Sequence, residues 1–181
     1  MSSHSIVNAV RAFCDARCIT PETLQKAIYE MEDQDNIQAF VSACERGDMP
    51  EVGRLTQTVR TRSGTNVFYF EEIMSILCEK GYNDAACVMI ETDPELRQSY
   101  YALRIASEHG VIQAMDTMLH PDHKFIQREL RHALQDASKV GNVKSISTLL
   151  TRVPEIDTTQ AVHLATVSGH SEVVPLLRGA A

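Results

Sequence analysis

The sequence predicts an all-α fold: a helical-repeat solenoid of about five stacked helix pairs behind an N-terminal capping helix pair, with no substantial sheet. Three observations predict it. Gly47, Gly81, Gly110, Gly141 and Gly169 follow one another at intervals of 34, 29, 31 and 28 residues, a period that signals stacked supersecondary units. Before each glycine stand three apolar columns: Ala39, Ile73, Ala102, Ala133 and Ala161 at eight residues, Phe40, Met74, Leu103, Leu134 and Val162 at seven, and Ala43, Leu77, Ala106, Ala137 and Ala165 at four. After it stand two more, Val52, Ala86, Met115, Ile146 and Val174 at the fifth residue and Leu55, Met89, Met118, Leu149 and Leu177 at the eighth. Offsets of three and four put each set on one face of a helix.

The elements follow in order. Residues 1–35 form the cap. Ile6, Val7, Val10, Phe13 and Cys14 make one helical stripe, and Thr20-Pro21 starts a second helix with Leu24, Ala27, Ile28 and Met31 on its apolar face. Polar, acidic residues from Glu30 to Asp35 link cap to stack, and residues 36–181 form one compact domain of repeats.

Within each repeat the glycine ends the first helix, because a left-handed residue there carries no steric penalty. Asp48, Asn83, Asn142 and Ser171 stand where a side-chain oxygen caps the second helix, whereas Val111 and Ile112 leave the third unit without one. Between units, the longest connection is Thr56–Tyr69, and Asp93-Pro94, His120-Pro121 and Pro154 mark turns in the others. Pro175 falls early in the last helix, where its ring threatens the preceding turn. That unit reads as an internal repeat close to Ala181, so either few residues cap it, or its face meets another protein, or the native chain continues.

Ala161–Leu177 reads AVHLATVSGHSEVVPLL. This resembles the ankyrin repeat, with His163, Leu164, Ala165, Gly169, His170, Glu172, Val173, Val174 and Leu177 on its pattern. The other four units agree only in apolar positions, alanine and glycine, and all five lack the family's Thr-Pro pair, Gln160-Ala161 standing there in the strong unit, so the resemblance covers about residues 36–178 through one strong unit and four degenerate ones. It implies an ankyrin-like solenoid whose inner helices present two variable residues before each glycine to a partner on the concave side.

Composition narrows the function. A formal net charge of −7 disfavours nonspecific nucleic-acid binding, and no apolar run reaches the roughly 20 residues of a membrane span. Five cysteines, an odd number, with Cys44, Cys78 and Cys87 in apolar stripes, read as core residues of a reducing cytosol rather than a disulfide framework. Cys14 with Cys18 and His120 with His123 are the metal-like pairs, but several units separate them, so no metal and no cofactor is expected. No phosphate loop, nucleophile elbow or zinc-protease motif is present, and a buried thiol is a poor nucleophile.

Recognition of another protein is therefore the expected function. The paired residues are Glu45-Arg46, Glu79-Lys80, Glu108-His109, Lys139-Val140 and Val167-Ser168, so the first three units carry an acidic stripe suited to a basic or mixed polar strip. Tyr69, Tyr100 and Tyr101 stand near the start of inner helices as aromatic anchors. Arg60, Arg62, Phe68 and Tyr69, in and beside the longest connection, form a second candidate patch. The resemblance implies an ankyrin-type adaptor or regulator in the cytoplasm, or in a host cytosol if the protein is delivered there by a bacterium or virus. The alternative is a helical-repeat domain of an enzyme or a diverged catalytic domain, which a pocket of clustered, shifted ionisable groups would mark.

Overall fold

The computed structural model describes residues 35–63 and 67–179, apart from the side chains of 59–63, 67–69 and 72. The capping pair expected over 1–35, with Cys14, Cys18 and Thr20-Pro21, lies outside the described residues except at Asp35. Contacts divide the chain into two units, residues 1–39 and 40–181, and the five turn glycines lie in the second.

Every regular element among the described residues is helical. Helix α1 is described from residue 35 to 45. It is followed by α2 (Met49–Ser63), α3 (Val67–Glu79), α4 (Asn83–Thr92), α5 (Pro94–Arg97), α6 (Tyr100–His109) and α7 (Ile112–Met118). Then come α8 (Gln127–Lys139), α9 (Val143–Arg152), α10 (Thr159–Val167), a 3-10 turn (Ser171–Val173) and α11 (Val174–Arg178). Four of the glycine-ended helices pack on their successors, α3 on α4, α6 on α7, α8 on α9 and α10 on α11. Packing also runs from α3 to α6, α8 and α10, and separately from α2 to α4, α7, α9 and α11.

Burial follows the apolar columns. Ala43, Leu77, Ala106, Ala137 and Ala165 are all fully buried, as are Phe40, Met74, Leu103 and Leu134 one turn earlier. In the second helices Val52, Ala86, Met115 and Ile146, with Met89, Met118 and Leu149, complete the core. The last unit departs from this: Val162 and Val174 are half-buried, while Val173 and Leu177 are buried.

The five glycines have φ between 68° and 86°. In each turn the N–H after the glycine donates to the carbonyl of the fully buried residue four before it, at 2.8–2.9 Å, from Asp48→Ala43 to His170→Ala165. This 6→1 bond is the Schellman closure, which satisfies a helix-end carbonyl while turning the chain back. At Gly110 and Gly141 glycine is required for room as well. A Cβ on Gly110 would stand 2.5 Å from Nδ2 of Asn142, and one on Gly141 would collide with the His170 ring.

Several local expectations need correction. The cap position is the residue directly after the glycine, since that residue's N–H is committed to the Schellman bond. Asp48 caps α2, accepting from Glu51 N at 3.1 Å, and Asn142 caps α9, accepting from Ser145 N at 3.2 Å. Asn83 and Ser171 stand one residue too late; the caps there are Tyr82 and His170, and neither makes a capping bond through its side chain. The Thr56–Tyr69 connection is largely helix, because α2 runs on to Ser63 and α3 begins at Val67. Pro175 creates no clash: a 3-10 turn precedes α11, so its ring sits in the first turn, where no N–H is needed.

Candidate functional site

The glycine-ended helices bury the faces carrying their −8, −7 and −4 columns, which leaves their last two residues outside the core. Glu45, Arg46, Glu79, Lys80 and Glu108 are exposed, and His109 is half-buried. Lys139, Val140, Val167 and Ser168 are exposed too. No ion pair among the described residues engages Glu45, Glu79 or Glu108; Glu79 accepts only a long bond from Ser75 Oγ at 3.4 Å. Four other carboxylates are matched, Glu51 with Arg54, Asp116 with Arg152, Asp136 with Arg104 and Asp157 with Arg131, whereas Asp84, Glu91 and Glu155 likewise have no ion pair among the described residues.

The two expected tyrosines lie together, with ring centroids 4.9 Å apart, but they differ in role. Tyr101 is 48% exposed. Tyr100 is half-buried, and its hydroxyl is hydrogen-bonded to Nδ1 of His132, 2.6 Å away on α8. Arg104, one turn after Tyr100, holds its guanidinium carbon 5.5 Å from that ring's centre and forms an ion pair with Asp136, one turn after His132. The hydrogen bond to Asp136 is the main cause that raises the Arg104 pKa further above its ordinary value. Arg104, His132 and Asp136 were not among the residues expected at this face. The signal for them was weak: each pair is 32 residues apart, close to the interval between turn glycines.

The side chains of the second patch, Arg60, Arg62, Phe68 and Tyr69, lie outside the described residues; their backbones belong to α2 and α3.

The chemistry of the remaining groups points away from thiol reactivity. Burial pushes the Cys44 and Cys87 thiols up to about 11, and burial with the neighbouring Cys87 pushes Cys78 to about 12. All three are free and buried. Cys44 borders a depression of about 360 Å³ between the Gly47 and Gly81 turns, lined also by Met49, Tyr82 and Asn83. A second depression of about 360 Å³ lies beside His120, Pro121, His123 and Phe125. Here the His120 and His123 rings are 6.2 Å apart, and His120 Nδ1 lies 3.2 Å from Asp122. Among the described residues no three His, Cys, Asp or Glu side chains converge as a metal site would require. Among them also, no helix is long and apolar enough to cross a membrane.

No protein-family model, no curated protein and no solved structure matches this chain.

Proposed function

We propose that this chain is a protein-interaction module, an ankyrin-type helical-repeat solenoid acting as an adaptor or regulator. It would bind another protein through the face formed by the ends of its glycine-terminated helices. The observation that carries the reading is the row Glu45-Arg46, Glu79-Lys80 and Glu108-His109, whose glutamates have no internal cation among the described residues. The recurrent Schellman turns and the two runs of helix packing support the repeat character, since each unit adds one more copy of the same surface. Tyr101 supplies the exposed aromatic contact that binding surfaces favour. Buried free thiols at Cys44, Cys78 and Cys87 accord with a reducing, cytosolic compartment.

The test couples capture to mutation. A partner is captured on the full chain from cell extract, identified by mass spectrometry, purified and bound again at low and high salt. Replacing Glu45, Glu79 and Glu108 together by lysine should weaken binding, mainly through a slower, less salt-sensitive association, and leave the melting temperature nearly unchanged. Unchanged low-salt affinity of the purified partner for that variant would rule the row out as the binding site.

A further inference from the structure

Positions nine, five and two before each turn glycine stand at i, i+4 and i+7 of one helix face. In α6 these are Tyr101, Ile105 and Glu108; in α3 the last two are Ile76 and Glu79; in α1 they are Ser42 and Glu45. Ile76 and Ile105 are half-buried, so part of each aliphatic side chain meets solvent beside an exposed glutamate. α3 packs against α6, and the Gly47 turn borders the Gly81 turn across one shared depression. The result is an open apolar floor, Ile76 and Ile105 with Tyr101, edged by three carboxylates in successive units. In α8 the same positions are His132, Asp136 and Lys139, and the floor ends there. Tyr100 engages His132 and Arg104 engages Asp136, closing that side with polar groups that already have partners.

We propose that this stripe seats a short, extended, basic segment of a partner protein, with aliphatic side chains over Ile76 and Ile105 and a cation near each of Glu45, Glu79 and Glu108. The proposal rests on the protein-binding function proposed for this face and assigns its partner chemistry. An aliphatic floor alone would accept any apolar segment; the glutamates select the sign. Among the described residues none of these three has an internal cation, a lack shared with Asp84, Glu91 and Glu155, but these three alone recur at one position, two residues before successive turn glycines. Arg46 and Lys80 lie one residue on, about 100° around the helix, so they stand beside the stripe and not on it. Spacing sets the register. Packed helices lie about 8–10 Å apart, and an extended chain advances about 3.3 Å per residue. Cations at about every third residue, over about seven residues, therefore meet successive glutamates.

The test pans a phage-displayed library of random twelve-residue peptides on the full chain at low salt. The expected yield is peptides with Lys or Arg at about every third position and Leu, Ile or Val between. A synthetic representative should bind at least tenfold more weakly to Ile105→Ser, and to the triple Glu45→Gln, Glu79→Gln, Glu108→Gln variant, whose melting temperature should stay that of the parent. A scrambled peptide of the same composition should bind much more weakly than the ordered one. Equal binding of the scrambled peptide, undiminished binding to the triple variant, or a library yielding no basic sequences would overturn the proposal. Should neutral or acidic peptides be enriched and then lost on Tyr101→Ala, the basic-segment inference fails while the protein-binding reading stands.

Discussion

The side-chain nitrogen of Asn142 donates to the main-chain carbonyl of Glu108, 3.3 Å away and 34 residues earlier. The same side chain's oxygen accepts from Ser145 N and caps α9. One amide thus caps α9 and ties it to the end of α6. It fits because Gly110 has no Cβ to obstruct it.

Asn142→Ala should lose both bonds and destabilise the fold by about 1–2 kcal/mol, the upper range for a cap substitution. Asn142→Asp keeps the capping acceptor and loses the donor, so it should cost less. In chemical denaturation, an Asn142→Asp midpoint equal to the parent's would show that the bond to Glu108 contributes nothing, and equal midpoints for the two variants would show that the cap contributes nothing.

Leu149 is fully buried on α9, eight residues past Gly141 and against the core of its neighbours. Truncating it to alanine should cost about 2–5 kcal/mol. Urea titration reads this as a lower midpoint at unchanged slope; a loss below about 1 kcal/mol would contradict a packed position.

Glu71 is 8% exposed on α3, and its carboxylate accepts from the Ser99 hydroxyl, which itself accepts from Ala102 N at 3.2 Å to cap α6. Burial raises the Glu71 pKa, and the Ser99 bond opposes that in part. The folded-state pKa therefore lies above the unfolded one, so the folded chain holds the proton more tightly. Stability from this group is complete below the unfolded pKa, about 4.3, and declines as pH rises through the folded pKa. Glu71→Gln keeps an acceptor for Ser99 and does not ionise. Its stability relative to the parent should rise from about pH 4 to neutrality. A parallel pH dependence in the two proteins would refute the assignment.

Thiols raised to about 11 at Cys44 and Cys87 and about 12 at Cys78 leave about one thiolate in a thousand or fewer at pH 8. Brief iodoacetamide treatment of native protein should leave these three cysteines unmodified, with full labelling after denaturation, as peptide mapping reports. Rapid native alkylation at any of them would show an accessible, activated thiol.

What could be read from the sequence was local and periodic. The glycine that ends each helix, the buried alanine or leucine four before it and the stripe after it interact within a few residues, so their order in the chain is nearly their order in space. Even there, one residue mattered: Asn83 and Ser171 looked like caps, but the Schellman bond puts the cap directly after the glycine. The helical run through Ser63 was hidden because Arg60, Arg62 and Gly64 look like a connection by composition, and composition does not fix a helix end. The exposure of Glu45, Glu79 and Glu108 was legible for the same local reason, as each closes a helix whose opposite face is buried. Tertiary structure alone decided the pairings: Tyr100 with His132, Arg104 with Asp136, Ser99 with Glu71 and Asn142 with Glu108. Each joins residues 28–34 apart in the chain, and which side chains meet depends on how one helix pair rotates and slides against the next. That registry is set by side-chain packing between helix pairs, which no single pair encodes.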